Sequence, residues 1–300
     1  MVLQLKDIRK SFGNNEVLKG INISAESGKA LGLLGRNGAG KTTSIRILMG
    51  VFNADSGDVL IDGKPIDRKK VKIGYLPEER GLYPKKKIID QLVYFAELKG
   101  MSETDAVKSC DKWLARLGMT EHREHSLDRL SKGNQQKIQL ITALAHDPHI
   151  VILDEPFSGL DPVNAMLLKD VVKEEIEKGK IVLFSSHQMN YIEEFCDDIA
   201  ILHSGAIKVS GNLHEIKRGY PRNRLEIESE QKDEIIKKYG DNCTLTENGS
   251  LIFTMKDERD KSKIMGQLSN EFDIDGIRVL EPSLNDIFVQ YAGDVRGDFI

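Results

Sequence analysis

Over roughly the first 210 residues, short unbroken apolar runs alternate with longer stretches of helical periodicity. The runs Leu31–Leu34, Ile150–Leu153, Ile181–Phe184 and Ile199–Leu202 show no polar alternation. They predict strands buried on both faces, as in a parallel sheet covered by helices. Pro162–Lys178 predicts a helix, with Asp161 as its N-cap, Pro162 at its first position and Gly179 just past its end. Buried strands with helices between them predict an α/β core.

Residues from about 81 to 146 carry helical patterns and no evident strand. One helix spans Ile88–Lys99 and closes at Gly100. The next starts at Ser102, which forms a capping-box-like pair with Asp105 and ends at Gly118. Its periodic positions, Ala106, Cys110, Trp113, Leu114 and Leu117, are assigned to the core. This stretch reads as a helical insertion in an α/β domain covering residues 1–215. The composition turns polar, with Gly and Pro, around 211–224, which places a boundary there. Residues 216–300 then predict a small α+β domain. The order is strand (Leu225–Glu228), helix (Lys232–Lys238), strands (Thr244–Thr246, Leu251–Phe253), helix (near 260–268) and strand (near 277–280), with Ser283–Tyr291 as a final helix. Asn248-Gly249 supplies the turn between the paired strands. The β-α-β-β-α-β alternation suggests a ferredoxin-like domain.

Three hundred residues suit about two domains. Charge is 43 Lys+Arg against 47 Asp+Glu, a net of −4, which argues against broad nucleic-acid binding. Three cysteines without CxxC spacing read as reduced core thiols. The start, MVLQLKDIRK, lacks the apolar core of a signal peptide, and no apolar run approaches the ~18 residues of a membrane span. Service at a membrane therefore calls for another chain to cross it.

The strongest motif is Gly35-Arg36-Asn37-Gly38-Ala39-Gly40-Lys41-Thr42, which fits G-x-x-x-x-G-K-S/T between a strand and a helix. Glycines let backbone N–H groups wrap a phosphate, and the helix N-terminus adds its positive end. Lys41 offers a mobile charge to the β- and γ-phosphates, and Thr42, followed by Thr43, offers a hydroxyl to Mg²⁺. A second buried strand ends in Asp154-Glu155. Asp154 suits the hydrated metal and Glu155 suits deprotonation of an attacking water. Alone, such an acidic strand end is more often the start of a solvated loop. Beside a phosphate loop it points to nucleotide hydrolysis.

Three further stretches stand in a recognisable order. Leu130-Ser131-Lys132-Gly133-Asn134-Gln135-Gln136 resembles the LSGGQ signature of ABC ATPases. Ser158-Gly159-Leu160-Asp161 resembles that family's D-loop, and His187 its switch histidine. The resemblance covers residues 1 to about 215. It implies a P-loop NTPase that binds and hydrolyses ATP with Mg²⁺ and works as a head-to-tail homodimer with two ATP molecules between the copies. Ser131 and the Gly133 N–H would then meet the γ-phosphate held by the opposite copy, and His187 would contact that phosphate and Glu155. Phe12 matches the aromatic that stacks on adenine.

Two departures stand out. Glu78, in Ile73-Gly74-Tyr75-Leu76-Pro77-Glu78, occupies the position of the family's usual Gln. It is assigned to Mg²⁺ or the attacking water, and it adds negative charge beside the phosphates. The signature is LSKGN, with Ser131 and Gly133 retained and Lys132 assigned to solvent. The stretch Pro77–Pro84, the added C-terminal domain and the ending Ser283–Phe288 resemble ATP-binding subunits of ABC-2 type exporters, including sodium- and drug-export ATPases. That resemblance implies a peripheral protein on the cytoplasmic membrane face, with a separately encoded permease as partner. Lys85-Lys86-Lys87 reads as a solvated charge run. A ribosome-acting ABC ATPase is the alternative, but those usually hold two ATPase units in one chain, and this chain has one of each motif. A chromosome- or repair-type ABC ATPase needs long coiled coil between the phosphate loop and signature. Here only about 90 residues separate Lys41 from Ser131.

Overall fold

The computed structural model describes residues 1–79, 81–186, 188–246 and 249–292. Two compact units divide the chain: Met1–Leu213, with the stretch from Phe288 onward, and His214–Ile287.

The first unit opens with β1 (Val2–Phe12), β2 (Asn15–Glu26), β3 (Ala30–Leu34), α1 (Lys41–Met49), β4 (Ser56–Ile61), β5 (Lys64–Pro65) and β6 (Ile73–Leu76). The helices α2 (Ile88–Leu98), α3 (Glu103–Arg116) and α4 (Lys132–Leu144) follow. They precede β7 (Ile150–Asp154), α5 (Pro162–Glu177), β8 (Ile181–Ser185), α6 (Met189–Phe195), β9 (Asp198–His203) and β10 (Ala206–Asn212). The six-stranded sheet has the order β10-β9-β3-β8-β7-β6. Its five inner pairings are parallel except β9–β10, which is antiparallel. Every residue of β3, β7 and β8 is buried, as the unbroken apolar runs require.

A second sheet, order β2-β1-β4-β5, is antiparallel and has no counterpart among those runs. Its long strands β1 and β2 mix buried and exposed positions and carry charged residues along their length. β1 also breaks its alternation at Asp7, whose φ is 46°, and its register with β2 and β4 shifts there. Leu3, Leu5, Ile8 and Ile21 from this sheet, Ile45 and Leu48 from α1, and Leu31, Leu33, Ile150 and Leu183 form one core. Full burial of each such side chain contributes about 1.5–3 kcal/mol. The core therefore fixes α1 against the β3 end from which the phosphate loop springs.

The caps follow the sequence. Ser102 Oγ accepts the Asp105 N–H at 3.2 Å, and the Asp161 carboxylate accepts the Asn164 N–H at 3.0 Å. Gly179 closes α5 with φ 81°. One expectation is corrected. Cys110 and Leu114 are buried, but Trp113 is only half-buried, with the Lys178 ammonium 5.6 Å from its ring. Its indole lies at the margin of α3, where a cation covers what the core does not. Beside it, Arg116 Nε donates to Glu174 Oε1 at 3.0 Å, so α3 is tied to α5 twice.

The second unit holds α7 (Leu213–Arg218), β11 (Arg224–Glu228), α8 (Lys232–Tyr239), β12 (Cys243–Leu245), β13 (Leu251–Thr254), α9 (Lys261–Glu271) and β14 (Gly276–Leu280), and the chain continues into α10 (Leu284–Ala292). The sheet order is β12-β13-β11-β14, antiparallel throughout. β11 and β12, joined through α8, are separated by β13, which makes a split β-α-β arrangement. Leu225, Ile227, Ile235, Leu251, Phe253 and Leu268 form its own core. Of the expected turn, Asn248 lies outside the described residues, and Gly249 has φ 81°.

Candidate functional site

The parallel strands β3, β8 and β7 are neighbours, so their carboxyl ends share one edge, where ligands bind in open α/β sheets. β3 delivers the loop from Gly35 to Gly40. A Cβ at Gly35 would stand 2.5 Å from the Leu202 carbonyl oxygen. One at Gly40, whose φ is 113°, would stand 2.6 Å from Leu18 Cδ2. Neither position admits a side chain without moving the sheet or its cover. Arg36, Asn37 and Gly38 are exposed along the loop, and Ala39 and Gly40 are buried beneath it. Lys41 Nζ folds back over the loop and donates to the carbonyls of Gly35 at 2.6 Å and Arg36 at 3.4 Å. Burial lowers its pKa, while Glu155, Asp154 and Glu78 pull it upward. Thr42 is exposed on the first turn of α1, and Thr43 is half-buried.

β7 delivers the acids. Asp154 is buried, and its Oδ2 accepts from the Tyr75 hydroxyl at 3.3 Å across the β6–β7 pair. Burial raises the Asp154 pKa, against the Tyr75 hydrogen bond. Burial and Asp154 together push the Tyr75 hydroxyl up to about 12, which keeps it a donor. Glu155 is also buried, with φ 49°, a left-handed conformation that costs a non-glycine residue about 1–2 kcal/mol. Two contacts from the end of β8 hold it there. Its N–H donates to the Ser185 carbonyl at 2.8 Å, and Ser186 Oγ donates to its Oε2 at 3.0 Å. Such backbone strain at a strand end is often found at functional sites. His187, the expected switch residue, lies outside the described residues, as does Arg80.

Thr42, Asp154 and Glu78 line a single cavity of about 680 Å³, together with Tyr75 and Gln139. Among the described residues, no group of three or more His, Cys, Asp or Glu side chains forms a closed metal cage. A hydroxyl and one or two carboxylates beside a phosphate loop suit Mg²⁺, which favours oxygen donors and shares its shell with substrate phosphates. The cavity extends to Phe95, Leu98 and Lys99 on α2 and to Val51, and Leu98 and Val51 are largely exposed.

The remaining expected residues stand apart from that cavity. Phe12 is exposed at the end of β1, with its ring edge-on to Phe52 at 5.6 Å and Lys10 5.6 Å from its centroid. One ring face is thus braced and the aromatic remains open for stacking. Ser131 caps α4, its Oγ accepting the Asn134 N–H at 3.3 Å. Lys132 is exposed, and Gly133 is packed so that a Cβ would stand 2.8 Å from Asn164 Nδ2. Asp161 is committed to capping α5, and the Asn164 N–H lowers its pKa. Sequence reasoning missed Tyr75, Ser186 and Gln139. The signal for the first was a tyrosine in a four-residue strand that otherwise holds Ile, Gly and Leu. For Gln139 it was an amide inside an apolar helical stripe.

Comparisons with known proteins bear on the family and the fold. The family model described as ABC transporter matches residues 18–158, and that of the ATP-binding protein DrrA1-3-like C-terminal domain matches residues 211–292. The chain is 40% identical to the ABC transporter ATP-binding protein YhaQ of Bacillus subtilis, over 98% of this chain and 99% of that protein. It is 34% identical to the linearmycin resistance ATP-binding protein LnrL of the same organism, over 72% of this chain and 70% of that one. Among solved structures, an ATP binding subunit of an ABC transporter superposes with a TM-score of 0.67 at 29% identity, over 73% of this chain and 93% of the other.

Proposed function

This chain belongs to the ABC transporter family as an ATP-binding subunit with ATPase activity, and from that premise we propose that it is the motor of an exporter. Two copies bind head-to-tail around two Mg·ATP, a separately encoded permease crosses the membrane, and the motor sits on the cytoplasmic membrane face. The observation that carries this reading is the cavity running from Thr42 and Asp154 to the exposed apolar side chains of α2. A partner segment seated there would feel changes at the nucleotide directly. The chain needs such a partner, because no helix among the described residues is long and apolar enough to cross a membrane. Export is favoured by the resemblance of residues 77–84 and of the C-terminal domain to ABC-2 type exporter subunits, and by the linearmycin resistance relative.

The chemistry is divided among this chain's residues. The phosphate loop and Lys41 bind the triphosphate, and Phe12 stacks on the base. Mg²⁺, held by Thr42 and Asp154 with Glu78 nearby, supplies charge neutralisation for phosphoryl transfer when bound. Glu155, oriented by Ser186, takes the proton of the attacking water. The family resemblance assigns the γ-phosphate contact to His187. The capped N-terminus of α4, at residues 131–133, is assigned to the ATP of a second copy. The γ-phosphate then joins the copies, and its loss parts them.

Ser131→Ala removes both the cap and a γ-phosphate contact. The expected outcome is loss of cooperative hydrolysis with ATP binding largely kept, read from the ATPase rate against protein concentration. An unaltered concentration dependence contradicts the shared site. The export reading is tested by gentle extraction from native membranes followed by mass spectrometry. A stoichiometric multi-span membrane protein is expected. Ribosomal proteins in its place would move the assignment to translation and leave the ATP site standing.

A further inference from the structure

α4 buries an amide where its pattern calls for an apolar side chain. Gln139 is 2% exposed between the buried Ile138 and Leu140. Leaving such an amide without acceptors would cost about 1–3 kcal/mol. Its Nε2 instead donates twice, to the Pro77 carbonyl at 3.2 Å and to the Glu79 carbonyl at 3.0 Å. Those carbonyls stand immediately before and after Glu78. The same helix and the turn just after it make two related contacts. Gln136 Nε2 reaches the Pro156 carbonyl at 3.4 Å, one residue past Glu155, and His146 Nε2 stands 3.2 Å from the Ile73 carbonyl at the start of β6. Burial holds the His146 pKa down at about 4, so that ring stays neutral near pH 7 and Nε2–H can donate to the carbonyl. α4 is thereby bonded to the segment just past β6 and to the segment beyond β7, and the turn after α4 to the start of β6.

We propose that Gln139 is a positioning residue for the ATP site. Its amide fixes the backbone on both sides of Glu78 and so sets where that carboxylate stands against Thr42 and Asp154. Packing alone does not call for glutamine here, because methionine has nearly the same length and suits an apolar stripe. Two donors aimed at alternate carbonyls of one short segment are what glutamine adds, and asparagine is a methylene too short to reach both. Because Ser131 caps the start of α4, the tie also makes the signature cap and the acid at 78 parts of one rigid piece. A γ-phosphate met at Ser131 in one ATP site is then transmitted mechanically to the metal-facing carboxylate of the other.

The inference rests on Glu78 facing the metal, and the experiment separates the two. Mn²⁺ is titrated into the ADP complex of the full chain and followed by electron paramagnetic resonance, and ADP affinity without divalent metal is measured by calorimetry. Glu78→Ala is expected to raise the half-saturating Mn²⁺ concentration about tenfold. Gln139→Met is expected to raise it by a similar factor, with metal-free ADP affinity unchanged. Added to Glu78→Ala, it is expected to contribute nothing further, since both changes act through one carboxylate. If Glu78→Ala leaves the titration unmoved, the metal-facing role of Glu78 falls and the inference with it. If Glu78→Ala moves it but Gln139→Met does not, the positioning role alone is overturned. Shifts that multiply in the double variant, or metal-free ADP affinity that drops with Gln139→Met, overturn it as well. Should the methionine variant not fold, Gln139→Ala is read in the same way.

Discussion

Glu155→Gln is expected to keep ATP bound and to slow its hydrolysis by about 10²–10⁴-fold, the range over which a positioned general base accelerates proton transfer. The substitution keeps the side chain's size, and an amide oxygen still accepts from Ser186 Oγ, which now stands 3.0 Å from Oε2. The backbone bond to the Ser185 carbonyl is untouched, so the left-handed conformation at 155 is retained. What is lost is the basic lone pair. Single-turnover hydrolysis and equilibrium binding of ATP, measured on one preparation, separate the two effects. A variant that turns over at near-normal rate would remove Glu155 from the role of base. By the same logic, the variant accumulates the ATP-bound state.

Lys41→Ala acts on the step before. The ammonium is held over the loop by the Gly35 and Arg36 carbonyls, with Asp154, Glu155 and Glu78 near enough to raise its pKa against burial. Removing it takes away charge-assisted hydrogen bonds to the phosphates, each worth about 1.5–3 kcal/mol, and leaves the carboxylates to repel an anionic ligand. ATP affinity is expected to fall by at least about a hundredfold. Calorimetry with Mg·ATP reads it directly, and unchanged affinity would contradict the assignment. Lys41→Arg is not expected to rescue binding, since a planar fork does not fit where a point charge is cradled.

The features that lay open in the sequence are those set by local chemistry. Gly35 and Gly40 are dictated by close approach, and Asp154 by its place at the end of a strand with no polar residue before it. The capping roles of Ser102 and Asp161 follow from short-range hydrogen bonds, so they too could be read from adjacent residues. What escaped depends on partners far along the chain. The antiparallel sheet hid because half its positions face solvent and Asp7 interrupts its period. Trp113 fits the apolar face of α3 by spacing, yet only the fold reveals that the face ends beside Lys178. Tyr75 matters through a residue 79 positions later, and Gln139 through carbonyls some 60 positions earlier. No periodicity records such pairs. Glu78 lies between these cases: its departure from the family pattern is visible in the sequence, and its place opposite Thr42 and Asp154 is visible only in the fold.

The half-buried indole on α3 also gives the protein a built-in optical reporter. Trp113 is the chain's single tryptophan, so its emission is uncontaminated by any other indole. An ammonium near the ring and partial access to water both set its intensity and colour. Because the indole rides on the helical insertion and the ammonium on the cap of α5, displacement of one against the other alters the fluorescence. The proposed nucleotide-driven movement is therefore testable by stopped flow in unlabelled, unmutated protein.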